Sequence, residues 1–181
     1  MSLLYHLRLL ADYNQWMNDK LYHAAATLPA DELNAERGAF FGSLQGTLNH
    51  LLVADTVWLK RFAAHPAGFA TLAPLAGTPM PQQLDQPLYP DFAAMHARRA
   101  ELDAIISALL AEVSEDDLAQ PLTYHNMKGV AAQRLFGSVL LHVFNHQTHH
   151  RGQATTLLSQ AGVDVGVTDL LPRIPDQLAQ L

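Results

Sequence analysis

Apolar residues recur every three or four positions through four stretches of the chain, a spacing typical of amphipathic helices. These stretches cover about residues 3–27, 41–64, 91–113 and 132–161. In the fourth stretch, steps of four or three residues define an apolar seam: Leu135, Val139, Val143, His146, His150, Gln153 and Leu157. We therefore predict an all-α protein in which four long helices form a four-helix bundle.

The segments between these stretches carry the proline, glycine and polar residues that end helices. Residues 65–90 predict a long connection between the second and third helices, long enough for a crossover along the bundle. Pro121–Tyr124 and Gly129–Val130 flank a polar turn and predict a small β-hairpin before the fourth helix. Residues 163–181 predict a short appended helix or ordered coil, and residues 1–181 together predict a single domain.

The composition, 49% hydrophobic and 15% charged, fits a globular protein with a large interior or an additional subunit interface, which is compatible with a homodimer. A net charge of -6, with no run of Lys/Arg residues longer than a pair such as Arg98–Arg99, argues against a nucleic-acid partner. Because we find neither a membrane-length apolar run nor a signal-peptide core in residues 1–15, we expect a cytoplasmic protein without a membrane partner. The lack of cysteine excludes disulfides, zinc–thiolate sites and a cysteine nucleophile.

Histidines make up a third of residues 142–153, and three of them recur every fourth residue. Residues i and i+4 lie on one face of a helix, so two imidazole rings there can reach one metal ion. His146 and His150 lie on the apolar seam and are the predicted ligand pair; the alternative is a set of ordinary core or surface histidines. A third ligand should come from another helix, and His50 is the best candidate, although the apolar pattern leaves its orientation open.

Three sequence words identify a resemblance: Tyr13–Asn18, Asn49–Asp55 followed by Trp58, and His142–Gln153. With them the chain resembles, over essentially its whole length, the DinB-like family of metal-binding four-helix bundles, also called YfiT-like. The resemblance implies an up-down-down-up bundle, frequent homodimers, and one divalent transition metal on His50, His146 and His150. Zinc and nickel are the expected metals, followed by iron and manganese.

Three imidazole ligands would leave the metal with open positions for water or a thiol. The resemblance therefore implies a thiol-using S-transferase, or a related thiol-dependent enzyme, that acts on a small-molecule substrate with a low-molecular-weight thiol as co-substrate. The alternatives are a hydrolase that uses metal-bound water, although Gln147 stands where metalloproteases carry glutamate, and a non-catalytic metal-binding stress protein.

No catalytic residue is assigned from the sequence. The candidates for contacts with the metal ligands or the substrate are Asn14, Asp55, Tyr124, His142, His149, Arg151 and Gln153. Among them, Asn14 is also predicted as a buried hydrogen-bonding residue between helices. Asp55 is predicted either to pair with Arg151 or to accept a hydrogen bond from a ligand imidazole. Trp58 is predicted to be a core aromatic.

Overall fold

The computed structural model describes residues 1–176, which are mostly helical with one small antiparallel hairpin before the last long helix. The helices in chain order are α1 (Leu3–Ala25), α2 (Ala30–Asn34), α3 (Leu44–Phe62), α4 (Phe92–Glu112), α5 (Glu115–Leu118) and α6 (Phe136–Gln160). The strands are β1 (Pro121–His125) and β2 (Ala131–Leu135), and short 3-10 helices cover Ala70–Leu75 and Leu171–Arg173.

Side-chain caps determine where the first three long helices begin. Ser43 accepts a hydrogen bond from the Gly46 backbone N–H at 3.0 Å, so α3 begins at Leu44 rather than at residue 41 as predicted. Asp91 likewise accepts from the Ala94 N–H at 2.8 Å and begins α4, while Ser2 caps α1. Serine and aspartate fill this role because their oxygens satisfy N–H groups that have no partner within the helix.

The start of the fourth long helix was predicted wrongly. Residues 132–135 belong to β2, which pairs with β1 in a register from Pro121↔Leu135 to His125↔Ala131. The predicted second strand, residues 129–130, lies in the turn, where Gly129 has φ +76°. In β2 the backbone N–H and C=O groups bond to β1 instead of to each other within a helix. Leu135, which was expected on the apolar seam, is 55% exposed.

Each of the four long helices packs against two others. Helices α1 and α3 both contact α4 and α6, and the apolar side chains between them are continuous in one buried cluster. The connection between α3 and α4 packs on this cluster through Phe69, Leu72 and Leu75. Among residues 1–176, no helix combines the length and the apolar character that crossing a membrane requires.

The segment after α6 is coil with one short 3-10 helix, as predicted for the part that the structure describes. It returns along α1, where Arg173 pairs with Asp12 at 2.6 Å and Tyr13 donates a hydrogen bond to the Thr168 carbonyl oxygen at 2.6 Å. Residues 177–181 of the predicted tail lie outside the described residues.

Candidate metal centre

Three histidines from two helices meet between α3 and α6. His50 from α3 faces His146 and His150 from α6, and one ring nitrogen of each lies within 4.8 Å of the other two. The Nε2 atoms of His50 and His146 are 3.2 Å apart. His50 is 3% exposed and His150 is 9% exposed, so the orientation of His50 that the sequence pattern left open is inward. We call these three residues the histidine triad.

Hydrogen bonds at Nδ1 direct the free lone pairs of the triad towards its centre. The Nδ1 of His50 lies 2.8 Å from the Leu84 carbonyl oxygen, and that of His150 lies 2.8 Å from Oε1 of Gln153. Because both oxygens can only accept, Nδ1 donates and Nε2 keeps its lone pair. Two nitrogens bound to one tetrahedral zinc ion lie about 3.3 Å apart, close to the observed spacing. The triad therefore fits a divalent metal.

The electrostatic environment keeps the triad neutral. Burial, together with smaller contributions from the neighbouring His150 and His50, lowers the pKa of His146 to about 3. Burial also lowers the pKa values of His50 and His150. Since metal ions bind the unprotonated imidazole, the three rings are in the ligating form at neutral pH.

An aromatic ring that the sequence did not single out covers one side of the triad. Phe41 stacks on His50 with ring centroids 3.9 Å apart and planes 18° from parallel, and it meets His150 edge-on at 5.6 Å. The sequence pattern placed Phe41 inside a helix, whereas it precedes the Ser43 cap. The hydrogen bond to the Leu84 carbonyl oxygen could not be predicted from the sequence either, because every residue has a backbone carbonyl group.

Two comparisons of the sequence with known proteins found matches. A sequence model described as the DinB family matches residues 1–177. The chain belongs to the DinB family. It is also similar to Protein DinB of Bacillus subtilis (strain 168), with 25% identity over 160 residues that cover 88% of each protein. No solved structure matches the chain.

Two predicted contact residues of this DinB-family chain, Gln153 and His149, lie beside His150 of the triad. The Gln153 side chain accepts from His150, and its amide nitrogen lies 3.3 Å from Nε2 of the exposed His149, to which it can donate. His142, one turn before His146 on α6, is also exposed, and the two ring centroids are 6.0 Å apart.

Tyr124, another predicted contact residue, lies further from the triad on β1, where its ring meets that of Trp58 at 5.2 Å. Trp58 is half-buried and packs against the edge of the hydrophobic core, so its prediction as a core aromatic is confirmed in part.

The remaining candidates, Asn14, Asp55 and Arg151, belong to a separate buried charged cluster. We define this cluster by its members from all four long helices: Asn14, Asn18, Asp55, Arg99, Asp103, Gln147 and Arg151. Arg99 pairs with Asp55 at 2.6 Å and with Asp103 at 3.0 Å. Arg151 donates to Asn14, which confirms the prediction of a buried inter-helix hydrogen bond there.

Asp55 has partners other than those predicted. It accepts from the Gln147 amide and pairs with Arg99, rather than with Arg151 or an imidazole. The reason is electrostatic, because the guanidinium of Arg99 is almost fully buried and requires nearby anions. Burial by itself lowers the pKa of Arg99, but the carboxylates of Asp103 and Asp55 raise it overall. Burial lowers the pKa of Arg151 to about 10.

Proposed function

We propose that this chain binds one divalent transition metal through His50, His146 and His150 and transfers a low-molecular-weight thiol to an electrophilic small molecule. The observation that carries the proposal is the convergence of three neutral imidazoles with Nδ1 of two of them already bonded elsewhere. Three neutral ligands suit zinc or nickel first, with iron or manganese next, and leave positions open for exogenous groups.

A bound divalent metal would supply one chemical effect, which is to lower the pKa of a coordinated thiol so that it reacts as thiolate. The chain's own residues prepare the place for that thiol. The Leu84 carbonyl and Gln153 fix the orientations of His50 and His150. Phe41 shields the triad from water on one side. The absence of cysteine means that the reacting sulfur comes from outside the chain.

The alternative of hydrolysis by metal-bound water has less support. A hydrolase requires a general base, and Gln147, at the position where metalloproteases carry glutamate, is an amide. Gln147 is fully buried and donates to Asp55, so it points into the charged cluster. The other alternative is a stress protein that binds the metal without catalysis; such a protein would bind the metal but would not consume thiol.

We further propose that α1, α3, α4 and α6 form a four-helix bundle with up-down-down-up topology. The contacts of α1 and α3 with both α4 and α6 support a closed arrangement of the four helices. The long α3–α4 connection, residues 63–91, supplies the length that a crossover requires. In this arrangement the triad lies on the α3–α6 side of the bundle.

Metal content and thiol consumption test the proposed function. Protein purified without a histidine tag should contain one metal ion per chain, and the loss of free thiol with 1-chloro-2,4-dinitrobenzene should depend on that metal. His146→Ala or His150→Ala should abolish stoichiometric binding and thiol loss, whereas His149→Ala should retain the metal. Equal metal retention in all three variants would refute the triad. Unchanged binding in His50→Ala would place the third ligand elsewhere, and bound metal without thiol loss would exclude the transferase.

A further inference from the structure

A cavity of ≈ 290 Å³ lies between the hairpin and the α3–α6 pair, and it is linked to the triad through His142. Its lining residues are Trp58, Tyr124, Arg134, Ser138, Val139 and His142. The His142 ring lies 5.3 Å from Trp58 on one side and 6.0 Å from His146 on the other. His142 therefore forms the wall of the cavity that is nearest to the candidate metal centre. Along α6, His142 lies one turn before His146, and His150 lies one turn after it.

The cavity has aromatic walls held in a fixed arrangement. The rings of Tyr124 and His142 both meet Trp58 edge-on, at 5.2 Å and 5.3 Å. The guanidinium of Arg61 lies 4.6 Å from the centre of Trp58 and 5.1 Å from that of Tyr124, so cation–π attraction holds both rings. Walls of this kind favour a planar, conjugated ligand, which packs against ring faces and edges.

A positive charge at the cavity wall, on the exposed side chain of Arg134, has no acidic partner in the part of the chain that the structure describes. Across residues 1–176, Arg134 has no carboxylate partner, and its Nη1 donates only to the neutral Gln133 carbonyl oxygen, at 2.8 Å. By contrast, Arg37, Arg98, Arg99 and Arg173 each pair with a carboxylate. In a chain of net charge -6, a guanidinium left without an acid at a cavity wall is available for an anionic ligand.

We propose that this cavity binds the electrophilic substrate, and that the substrate is a single-ring aromatic acid. Its ring would pack against Trp58 and Tyr124, its carboxylate would pair with Arg134, and its reacting carbon would face His142 and the triad. The assignment as a substrate site rests on the proposed thiol transfer. With a chlorinated nitroaromatic acid, the thiolate sulfur forms a bond to the ring carbon that bears chlorine, the C–Cl bond breaks, and chloride leaves with the electron pair.

Binding can be tested without metal, thiol or turnover. The chain has two tryptophans, so the variant Trp16→Phe retains Trp58 as the single tryptophan, whose fluorescence is excited selectively above the tyrosine absorption. The probes are 3-nitrobenzoate and its neutral analogue 3-nitrobenzamide, because nitroaromatic rings quench tryptophan fluorescence on contact. In metal-depleted protein both should quench Trp58, and the acid should bind about tenfold more tightly, the effect of one charge-assisted hydrogen bond.

Arg134→Gln in the same background should remove the preference for the acid and leave the affinity for the amide unchanged. The matched control is Arg8→Gln. Arg8 also lacks a carboxylate partner within residues 1–176, but it donates to the Leu110 carbonyl oxygen at 2.8 Å, between α1 and α4. Arg8→Gln should therefore retain the preference. Equal affinity for acid and amide, or a preference that survives Arg134→Gln in a protein with unchanged circular dichroism, would overturn the proposal.

Turnover separates this proposal from the transferase itself. With metal and thiol present, 4-chloro-3,5-dinitrobenzoate should be used with a kcat/KM about tenfold above that of its amide, and Arg134→Gln should abolish the difference through KM. Metal-dependent turnover without any preference would overturn the aromatic-acid site and leave the transferase standing. Selective binding of nitrobenzoate without metal-dependent thiol loss would leave a binding site but overturn its role as the substrate site.

Discussion

The histidine triad and the charged cluster are both groups of polar side chains to which α3 and α6 contribute. They differ in whether the protein itself supplies a partner for each polar group. In the charged cluster, Arg99 lies between Asp55 and Asp103, and Gln147 donates to Asp55. In the triad, by contrast, the Nε2 atoms of His50 and His146 face each other at 3.2 Å. The Nε2 of His50 offers a lone pair, because its Nδ1 donates to the Leu84 carbonyl oxygen, and a cation between the two nitrogens would be bound by the lone pairs of both.

This difference shows that burial alone does not identify a binding site. Asp55 and Arg99 are more deeply buried than His150, but their charges are matched inside the protein. The triad is neutral because burial lowers the pKa of each ring. The hydrogen bonds at Nδ1 of His50 and His150 leave the Nε2 lone pairs of these two rings free. We infer that the charged cluster stabilises the fold and that the triad is the part available to a ligand.

The largest expected effect on the free energy of unfolding is that of replacing Arg99 in the charged cluster. Arg99→Met leaves two buried carboxylates without their cation, and loss of one partner from a buried ion pair costs about 3–5 kcal/mol. The free energy of unfolding, measured by urea denaturation, should fall by that amount. The matched control is the preceding residue, since Arg98 pairs with the exposed Glu101. Arg98→Met should cost at most about 1 kcal/mol. A similar loss in both variants would mean that the cluster contributes no more than a surface pair.

Two neighbours on α6 allow a sharper separation of stability from metal binding. Gln147→Ala removes a donor to the buried Asp55 and should lower the free energy of unfolding by about 2 kcal/mol while retaining stoichiometric metal. His146→Ala should abolish the metal and change the stability of the metal-free protein less than Gln147→Ala does. Urea denaturation and elemental analysis on both variants check this pattern. If Gln147→Ala also loses the metal, the two regions are one coupled site.

The sequence indicated the inward orientation of the α6 histidines better than that of the α3 histidine in the candidate metal centre, for a physical reason. His146 and His150 lie on a helix whose exposed face gives the apolar seam a direction. On α3, every residue from Thr47 to Val57 is buried, because the α3–α4 connection covers the side away from α4 and α6 and bonds Asn49 and His50. A helix buried all round has no polar face from which to predict orientation. His50 was therefore found by resemblance and by its position, not by periodicity.

Contacts between residues distant in the sequence account for what the sequence did not predict. Ala131–Leu135 continues a helix-like apolar pattern, and its assignment as β2 depends on pairing with β1. Asp55 was matched with the wrong arginine, since its ion pair with Arg99 joins two helices that only the folded chain brings together. Phe41 was missed because ring stacking on a histidine nine residues later follows from the turn before Ser43, not from helical spacing.

At Gln153, which supports the triad without being a proposed ligand, we expect metal binding to be weakened rather than abolished. Removing such a supporting hydrogen bond typically lowers metal affinity about 10–100-fold, and Gln153→Ala should do so for zinc in a competition titration with a chelator. Gln160→Ala, at the exposed end of the same helix, should change nothing. Because Gln153 also contacts His149, His149→Ala is a second control: retained affinity there assigns the loss to His150 orientation. Unchanged affinity in Gln153→Ala would show that the His150 ring is held by its own packing against Phe41 and His146, and that the triad needs no hydrogen-bonded support on α6.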